Sequence, residues 1–262
     1  MAKHNAGDIL TCDWNPVVGC ARFSAGCRHC WWLDGVMPWQ KRLGNLPAGL
    51  VEGVPAVLDT RLDPAQLRPK RGLVGVVQHG DLFWDAVPDA VIHRVLDVVD
   101  QVAGERAERN RRRADRGREP DETKYVLWTK RARRLADFLL ARYPAGVPSH
   151  LACGVSVENQ ALADERLPHL MRLRGHRLVM IEPMLGPVDL TAFPDVSWVV
   201  LGSETGADGP RPMPLDWARA VRDWAQARGI PFFLKQVGPD HRRPERRLDG
   251  RTWDEFPLGF RK

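Results

Sequence analysis

The sequence of 262 residues lacks any long hydrophobic run. No stretch approaches the roughly 20 consecutive apolar residues that a membrane-spanning helix needs. Residues 1–8 also lack the basic and then apolar layout of a secretory signal. We therefore expect a protein of the cytoplasm.

Cysteine is scarce: the chain has five, and an odd number does not fit a secreted disulfide framework. Cys20, Cys27 and Cys30 lie within eleven positions of each other, whereas Cys12 and Cys153 stand apart. Thiolates persist as ligands in a reducing compartment, because they are not oxidised to disulfides there. We therefore expect the three clustered cysteines to form a metal or iron–sulfur site.

The composition shows no extreme that would indicate disorder, since 44% of the residues are hydrophobic and 27% are charged. The length suits a single domain over residues 1–262. A net charge of +6 favours anionic partners such as nucleic acid or nucleotides.

Short apolar runs rich in β-branched residues recur along the chain and predict buried strands. They are residues 73–77, 125–128, 151–157, 178–181, 198–201 and 231–234. Most precede a segment of helical periodicity, such as residues 90–102 and 215–227. The alternation predicts an α/β protein with a mostly parallel sheet, and it fits a barrel and an open sheet equally well.

Ligands of both architectures gather beyond the carboxyl ends of the strands, so the residues after each run are candidates for a site. Those residues are unusually polar here. They are Gly80 and Asp81, Thr129 and Lys130, Ser156, Glu158 and Asn159, Glu182, Ser203 and Glu204, and Lys235 and Gln236.

Two stretches rich in arginine interrupt the pattern. Residues 104–123 alternate basic and acidic side chains, which predicts a solvated helix extension or a mobile insertion. A nucleic-acid contact is the alternative, because Arg111, Arg112 and Arg113 are consecutive. Residues 241–247, within a basic C-terminal extension from about residue 238, allow the same two interpretations.

The clustered cysteines have the spacing C-x6-C-x2-C. Three thiolates on a glycine-containing loop can bind three irons of a four-iron cluster and leave the fourth iron open. Structural zinc is the competing interpretation, although zinc usually takes four protein ligands and only one C-x2-C pair is present. Buried apolar cysteines are a third possibility. The spacing alone does not decide between iron–sulfur and zinc.

Six ordered blocks carry a resemblance that covers nearly the whole chain. They are Asp13-Trp14-Asn15-Pro16-Val17-Val18-Gly19-Cys20, Leu127-Trp128-Thr129-Lys130-Arg131, Gly154-Val155-Ser156-Val157-Glu158-Asn159-Gln160, Glu182-Pro183-Met184-Leu185-Gly186-Pro187, Gly202-Ser203-Glu204-Thr205-Gly206 and Phe232-Phe233-Leu234-Lys235-Gln236. In order and spacing these blocks resemble a phage-associated family similar to radical S-adenosylmethionine enzymes. The superfamily commonly has three residues in the first cysteine gap, whereas six fits this family.

The resemblance implies a partial (β/α) barrel of the radical S-adenosylmethionine type, with the cysteine loop after a first strand near residues 9–14. It further implies a [4Fe-4S] cluster held by Cys20, Cys27 and Cys30, S-adenosylmethionine across the strand ends, and an external electron donor. Asp81 would lie in the loop that meets the methionine amino group, where a carboxylate suits an ammonium. The alternative is that Asp81 caps the following turn.

Three further residues are candidates to bind the cofactor. Ser156, Glu158 and Asn159 follow the fourth strand, where small polar groups can meet the ribose hydroxyls or the methionine carboxylate. For Glu158, a place at the start of the next helix is the alternative.

The catalytic candidates are Lys130, Glu182, Glu204 and Lys235, which would form an inward ring if the strand ends align. A lysine at a buried strand end needs a partner, so we expect Lys130 and Lys235 to pair with these acids or with an anionic substrate.

These features lead to two hypotheses of different classes. The first is a radical enzyme of the host cytoplasm that reductively cleaves S-adenosylmethionine and modifies or rearranges a nucleobase or nucleotide-like substrate. Such an activity, for example an isomerase, would belong to phage DNA hypermodification. Phosphates would then meet Lys130, Lys235 and residues 106–118 and 241–247. The second is a zinc-stabilised nucleic-acid-binding protein without catalysis.

Overall fold

The computed structural model describes residues 9–205, 209–238 and 245–260. In this part of the chain seven strands form one sheet in which every neighbouring pair is parallel. The strands are β1 (Cys12–Trp14), β2 (Leu73–Val76), β3 (Lys124–Thr129), β4 (Leu151–Val157), β5 (His176–Ile181), β6 (Trp198–Gly202) and β7 (Phe232–Gln236).

The order of the strands across the sheet is the same as their order along the chain. A doubly wound sheet reverses its order at a switch point. When parallel strands are instead added one after another by right-handed crossovers, all the connecting helices lie on one face of the sheet. The sheet of this chain is curled into a half-barrel. The strand order therefore selects the partial barrel from the two architectures that the sequence pattern allowed.

All six apolar runs are confirmed as strands, with ends that differ from the expected ones by at most two residues. The first strand is shorter than expected, since β1 covers Cys12–Trp14 of the region 9–14. The prediction succeeded because a strand that is buried on both faces must be apolar at every position, and such a run can be recognised from the local sequence alone.

Six α-helices lie within the described residues. They are α1 (Met37–Arg42), α2 (Pro64–Leu67), α3 (Asp89–Ala114), α4 (Ala132–Arg142), α5 (Gln160–Met171) and α6 (Leu215–Gln226). Helix α6 ends one residue before the expected limit, and α3 continues twelve residues beyond residue 102. The buried face of α3 includes Val95, Val99 and Val102, as its periodicity predicts.

The two faces of the sheet carry separate cores. The larger core lies between the sheet and the helices. The smaller one contains Trp128, Trp198 and Phe233 from the strands and Phe260 from the C-terminal segment. Gly154 in β4 is needed here, because a Cβ at this position would lie 2.0 Å from the ring of Trp128. Large aromatic side chains thus fill the inside of the half-barrel.

The charged stretch 104–123 is mainly the end of α3, so the helix-extension interpretation is confirmed as far as Ala114. Arg106 is buried and donates to Thr123 Oγ1 at 2.8 Å and to Lys70 O at 3.0 Å, close to the starts of β2 and β3. A helix of 26 residues spans about 39 Å. Residues 106–118 therefore lie at the amino-terminal edge of the sheet, and Arg106 is not available to a phosphate, contrary to the expectation.

The described part of the C-terminal extension packs on the half-barrel. Trp253 O accepts from Leu234 N at 2.9 Å, and Glu255 O accepts from Trp198 Nε1 at 2.9 Å. In the basic stretch 241–247, residues 241–244 lie outside the described residues. No helix in the described ranges combines the length and the apolar character that crossing a bilayer requires.

Candidate functional site

Residues 20–30, which we term the cysteine loop, lie across the carboxyl ends of the strands. Before it, Val17–Val18 pairs antiparallel with Ala56–Val57. Three side chains that follow β3, β4 and β6 hold the loop through hydrogen bonds. These are Arg131 Nη2 to Ala21 O at 3.1 Å, Ser24 Oγ to Glu158 Oε1 at 2.6 Å, and Arg211 Nη2 to Ala25 O at 2.8 Å. The loop is therefore anchored at the edge where ligands of parallel barrels bind.

The three thiols of the cysteine loop are partly or fully shielded from water. Cys27 is buried, and Cys20 and Cys30 are of intermediate exposure. Arg131 Nη1 lies 3.7 Å from Cys20 Sγ, and Leu33 N donates to Cys30 Sγ at 3.5 Å. Such donors stabilise a thiolate once it has formed.

The other two cysteines lie elsewhere. Cys153 is buried within β4, in the core between sheet and helices. Cys12 begins β1, at the amino-terminal edge of the sheet, and its Sγ lies 3.8 Å from Arg71 O. Both are therefore remote from the cysteine loop.

Burial raises the pKa of the Cys20 thiol to about 12, with the Asp81 carboxylate adding to the rise and Arg131 opposing it. Burial also raises the pKa of Cys30. These two thiols are therefore neutral at pH 7 in the metal-free protein. Thiols bind metal only as thiolates, so loading a metal centre here must release protons.

A fit to a four-iron cluster rests on the donor set. Cys20, Cys27 and Cys30 share one loop, and each would bind a different iron of the cluster. In the described part of the chain, no group of three or more His, Cys, Asp or Glu side chains is placed so that it could hold a metal ion. Three thiols on one loop are donors for an iron–sulfur cluster and for zinc alike, so the choice between the two stays a prediction.

Asp81 is buried, and hydrogen bonds within the chain occupy both of its oxygens. They come from Phe83 N at 3.0 Å, Thr129 Oγ1 at 2.7 and 2.9 Å, Lys130 N at 3.3 Å and Arg131 Nη1 at 2.9 Å. The bond to Phe83 N closes a turn two residues on. These contacts favour the turn-capping alternative for Asp81, and its contact with a cofactor stays a prediction.

Glu158 is fully buried at the centre of the site. Its carboxylate accepts from Lys130 Nζ at 2.6 Å and from Arg166 Nη1 at 3.1 Å, in addition to Ser24. Gly26 of the cysteine loop packs directly on it, since a Cβ there would lie 2.6 Å from Glu158 Oε1. Glu158 thus joins the loop to two cations, and the expected pairing of Lys130 with an acid is confirmed.

Ser156 and Asn159 flank Glu158 and have different surroundings. Asn159 is the N-cap of α5, where its Oδ1 accepts from Leu162 N at 3.1 Å. The position at the start of α5, which was the alternative role for Glu158, is therefore occupied by Asn159. Ser156 is buried near the end of β4, and its carbonyl accepts from Arg166 Nη1 at 2.8 Å.

The remaining candidates form two more ion pairs at the same edge. Lys235 Nζ lies 2.6 Å from Glu182 Oε2, and Gln236 Nε2 donates to Glu182 Oε1 at 2.9 Å. Glu204 accepts from Arg211 Nε at 2.8 Å. Burial opposes ionisation of Glu204, but the Arg211 hydrogen bonds outweigh it and lower its pKa. Each of the four catalytic candidates is therefore paired with a charge of opposite sign.

Arg131, Arg166 and Arg211 are site residues that the sequence pattern did not indicate. Arg166 had a legible signal, because it lies on the buried face of α5 with Ala163 and Leu170. An arginine on such a face needs a buried anion, since an unpaired buried charge is costly. Arg211 had no such signal, because it lies outside any helix or strand.

Residues 9–257 match the family described as Protein of unknown function (DUF5131), and the chain belongs to that family. No curated protein and no solved structure matches the chain.

Proposed function

We propose that this chain is a radical S-adenosylmethionine enzyme whose cysteine loop holds a [4Fe-4S] cluster. The observation that carries the proposal is the position of Cys20, Cys27 and Cys30 on one loop across the carboxyl edge of an all-parallel half-barrel. When bound, such a cluster supplies an open iron for the amino and carboxylate groups of S-adenosylmethionine and an electron that cleaves its carbon–sulfur bond. We also propose that the half-barrel is of the radical S-adenosylmethionine type.

The residues around the loop exclude water and keep the thiol environment in place. Trp32 is buried and stacks on His79, with ring centroids 4.3 Å apart and an angle of 11° between the planes. Burial, with Arg61 nearby, lowers the pKa of His79 to about 4, so this ring is neutral at pH 7. Because the His79 ring is neutral, no positive charge has to be buried beside the cysteine loop.

The lysines at the strand ends are the groups of the site that can reach a substrate. Lys130 and Lys235 remain partly exposed, whereas Glu158 is fully buried. Each ammonium is held by a carboxylate and can donate a hydrogen bond to an anionic or carbonyl group. A proton on Lys235 Nζ can pass to Glu182, whose Oε2 lies 2.6 Å away. We assign Glu204 to holding Arg211, and through it the cysteine loop.

The proposed substrate is a nucleobase or a nucleotide-like molecule in nucleic acid, modified in the cytoplasm of a host cell. The net charge of +6 supports an anionic substrate. An external protein would supply the electron. Large apolar side chains that are exposed concentrate within 23–54, beside the cysteine loop, and they include Trp31 directly after Cys30. We propose that the donor contacts this segment, because exposed apolar side chains favour a contact with another protein.

Anaerobic reconstitution with iron and sulfide tests the proposal. We expect a brown protein with about four irons and four sulfides per chain and cleavage of S-adenosylmethionine after reduction. Cys27→Ala should lose both properties, and Cys153→Ala, a buried cysteine outside the loop, should keep both. Stoichiometric zinc in a colourless protein would favour the zinc-stabilised binding protein instead.

A further inference from the structure

Helix α3 ends in an exposed, arginine-rich segment, residues 108–119, which we term the arginine tip. Residues 111–120 are all exposed. The chain turns back after the helix at Gly117, which has a φ of 63°. Asn110 fixes the base of this turn, because its side chain accepts from Asp121 N at 2.8 Å and donates to Asp121 O at 3.1 Å. The arginine tip is therefore exposed to solvent and anchored at its base in a defined conformation.

The arginine tip holds six arginines and three acids, so its net charge of +3 is half the net charge of the whole chain, +6. The arginines are Arg109, Arg111, Arg112, Arg113, Arg116 and Arg118, and the acids are Glu108, Asp115 and Glu119. Glu108 forms ion pairs with both Arg111 and Arg112. These two guanidinium groups share one carboxylate, so even here the positive charge exceeds the negative charge.

The other four arginines of the tip have no ion pair. In the part of the chain that the structure describes, no carboxylate pairs with Arg109, Arg116 or Arg118. Arg113 Nε donates to a carbonyl, Glu119 O, at 2.7 Å. A carbonyl carries no net charge, so this hydrogen bond does not neutralise the guanidinium group. These four side chains can therefore bind an external anion without first breaking an ion pair.

The spacing of the arginines brings several cations close together. Arg109, Arg112 and Arg113 are spaced i, i+3 and i+4, which places them on one side of the helix, where like charges repel each other. Cations near the carboxyl end of a helix are favoured by its dipole, but Arg116 and Arg118 lie beyond Ala114, where α3 ends. A guanidinium group binds phosphate oxygens through two parallel hydrogen bonds. A polymer of phosphates would therefore relieve the repulsion and occupy the unpaired donors.

We propose that the arginine tip binds the phosphate backbone of a nucleic acid, at the edge of the sheet opposite the cysteine loop. The release of counterions from the neutralised phosphates drives such binding. The inference goes beyond the proposed function, and rests on it only for the identity of the bound polymer as the substrate. Helix α3 separates the tip from Asp89 by about 39 Å, so a duplex needs roughly eleven or twelve base pairs to extend along the whole helix.

Two double variants of the full-length, metal-free chain test the proposal. Arg116→Ser with Arg118→Ser removes two unpaired cations of the tip outside α3. The matched control is Arg42→Ser with Arg133→Ser, which removes two exposed arginines from α1 and α4 and changes the net charge equally. The probe is a labelled duplex DNA of about 20 base pairs, longer than α3, titrated at several salt concentrations.

We expect the tip variant to bind the duplex about tenfold or more weakly at about 0.1 M salt, and the slope of log affinity against log salt to fall by about 0.9 for each phosphate contact that is lost. The control should change neither value. Both variants should unfold at the same urea concentration as the unmodified chain, because neither replaces a buried side chain. Equal losses of affinity in the two double variants, or equal affinity for a mononucleotide, would overturn the proposal.

The outcome is separable from that of the proposed function. Cluster formation and S-adenosylmethionine cleavage, with DNA binding that does not depend on Arg116 and Arg118, would reject the arginine tip alone. Binding that depends on these two arginines, in a protein that forms no cluster, would reject the radical enzyme alone.

Discussion

Replacing Glu158 by alanine tests the ionic centre beneath the cysteine loop. The carboxylate is fully buried and holds Lys130, Arg166 and Ser24 at 2.6, 3.1 and 2.6 Å. The Arg166 side chain is 2% exposed and cannot turn to water. Removing one partner of a buried ion pair leaves an uncompensated charge and costs about 3–5 kcal/mol.

Lys130 moderates this loss, because its side chain is 17% exposed and its ammonium can gain some water. The lost Ser24 hydrogen bond adds about 1 kcal/mol or more. We therefore expect the free energy of unfolding to fall by about 3–5 kcal/mol in total. In a chain of this size, that corresponds to a melting temperature lower by about 6–20 °C.

Urea unfolding followed by tryptophan fluorescence measures the change. Glu165→Ala is the matched control, since Glu165 is exposed on the neighbouring helix α5 and its loss should stay within about 0.5 kcal/mol. Glu158→Gln retains the shape of the side chain, so its effect isolates the charge. A Glu158→Ala protein as stable as the control, with weaker S-adenosylmethionine binding, would refute the structural role and assign Glu158 to the cofactor.

Three further predictions follow from the site. Alanine at any one of the three cysteines of the loop should abolish cluster absorbance, while Cys12→Ala should keep it; anaerobic spectra that show the reverse would reject the ligand set. Loading the cluster should release protons, at least about two per chain at pH 7, because the pKa values of Cys20 and Cys30 are raised in the metal-free protein; calorimetry in buffers of different ionisation enthalpy counts them. Burial and Arg61 lower the pKa of His79 to about 4, so the unfolded chain binds the extra proton and stability should fall by about 2–3 kcal/mol as the pH drops from about 6.5 to 4. Urea unfolding of His79→Gln should show a flatter pH dependence over this window, and an unchanged one would contradict the assignment.

The strands and the helices α3 and α6 were predictable from the sequence, because their signals are local. A strand covered on both faces must be apolar throughout, and a helix on a sheet must be apolar at every third or fourth position. The polar residues after the strands also met as expected at one edge. The parallel direction of the strands explains this result, since it brings all carboxyl ends to the same side of the sheet.

Other features needed the tertiary structure. The strand order of the half-barrel depends on pairing between segments that are distant in the sequence. An apolar run does not indicate which other strand it will pair with. The arginine-rich stretch suggested a contact with substrate, yet the direction of α3 carries residues 106–118 to the opposite edge.

The partners of the buried charges were also decided in three dimensions. Nothing local links Glu158 to Ser24, 134 positions away, or Asp81 to Arg131, 50 positions away. The sequence by itself established which residues would be costly to bury alone. Only the fold decided which opposite charge lies within hydrogen-bond distance of each, because that distance depends on how the strands and loops pack rather than on their separation along the chain.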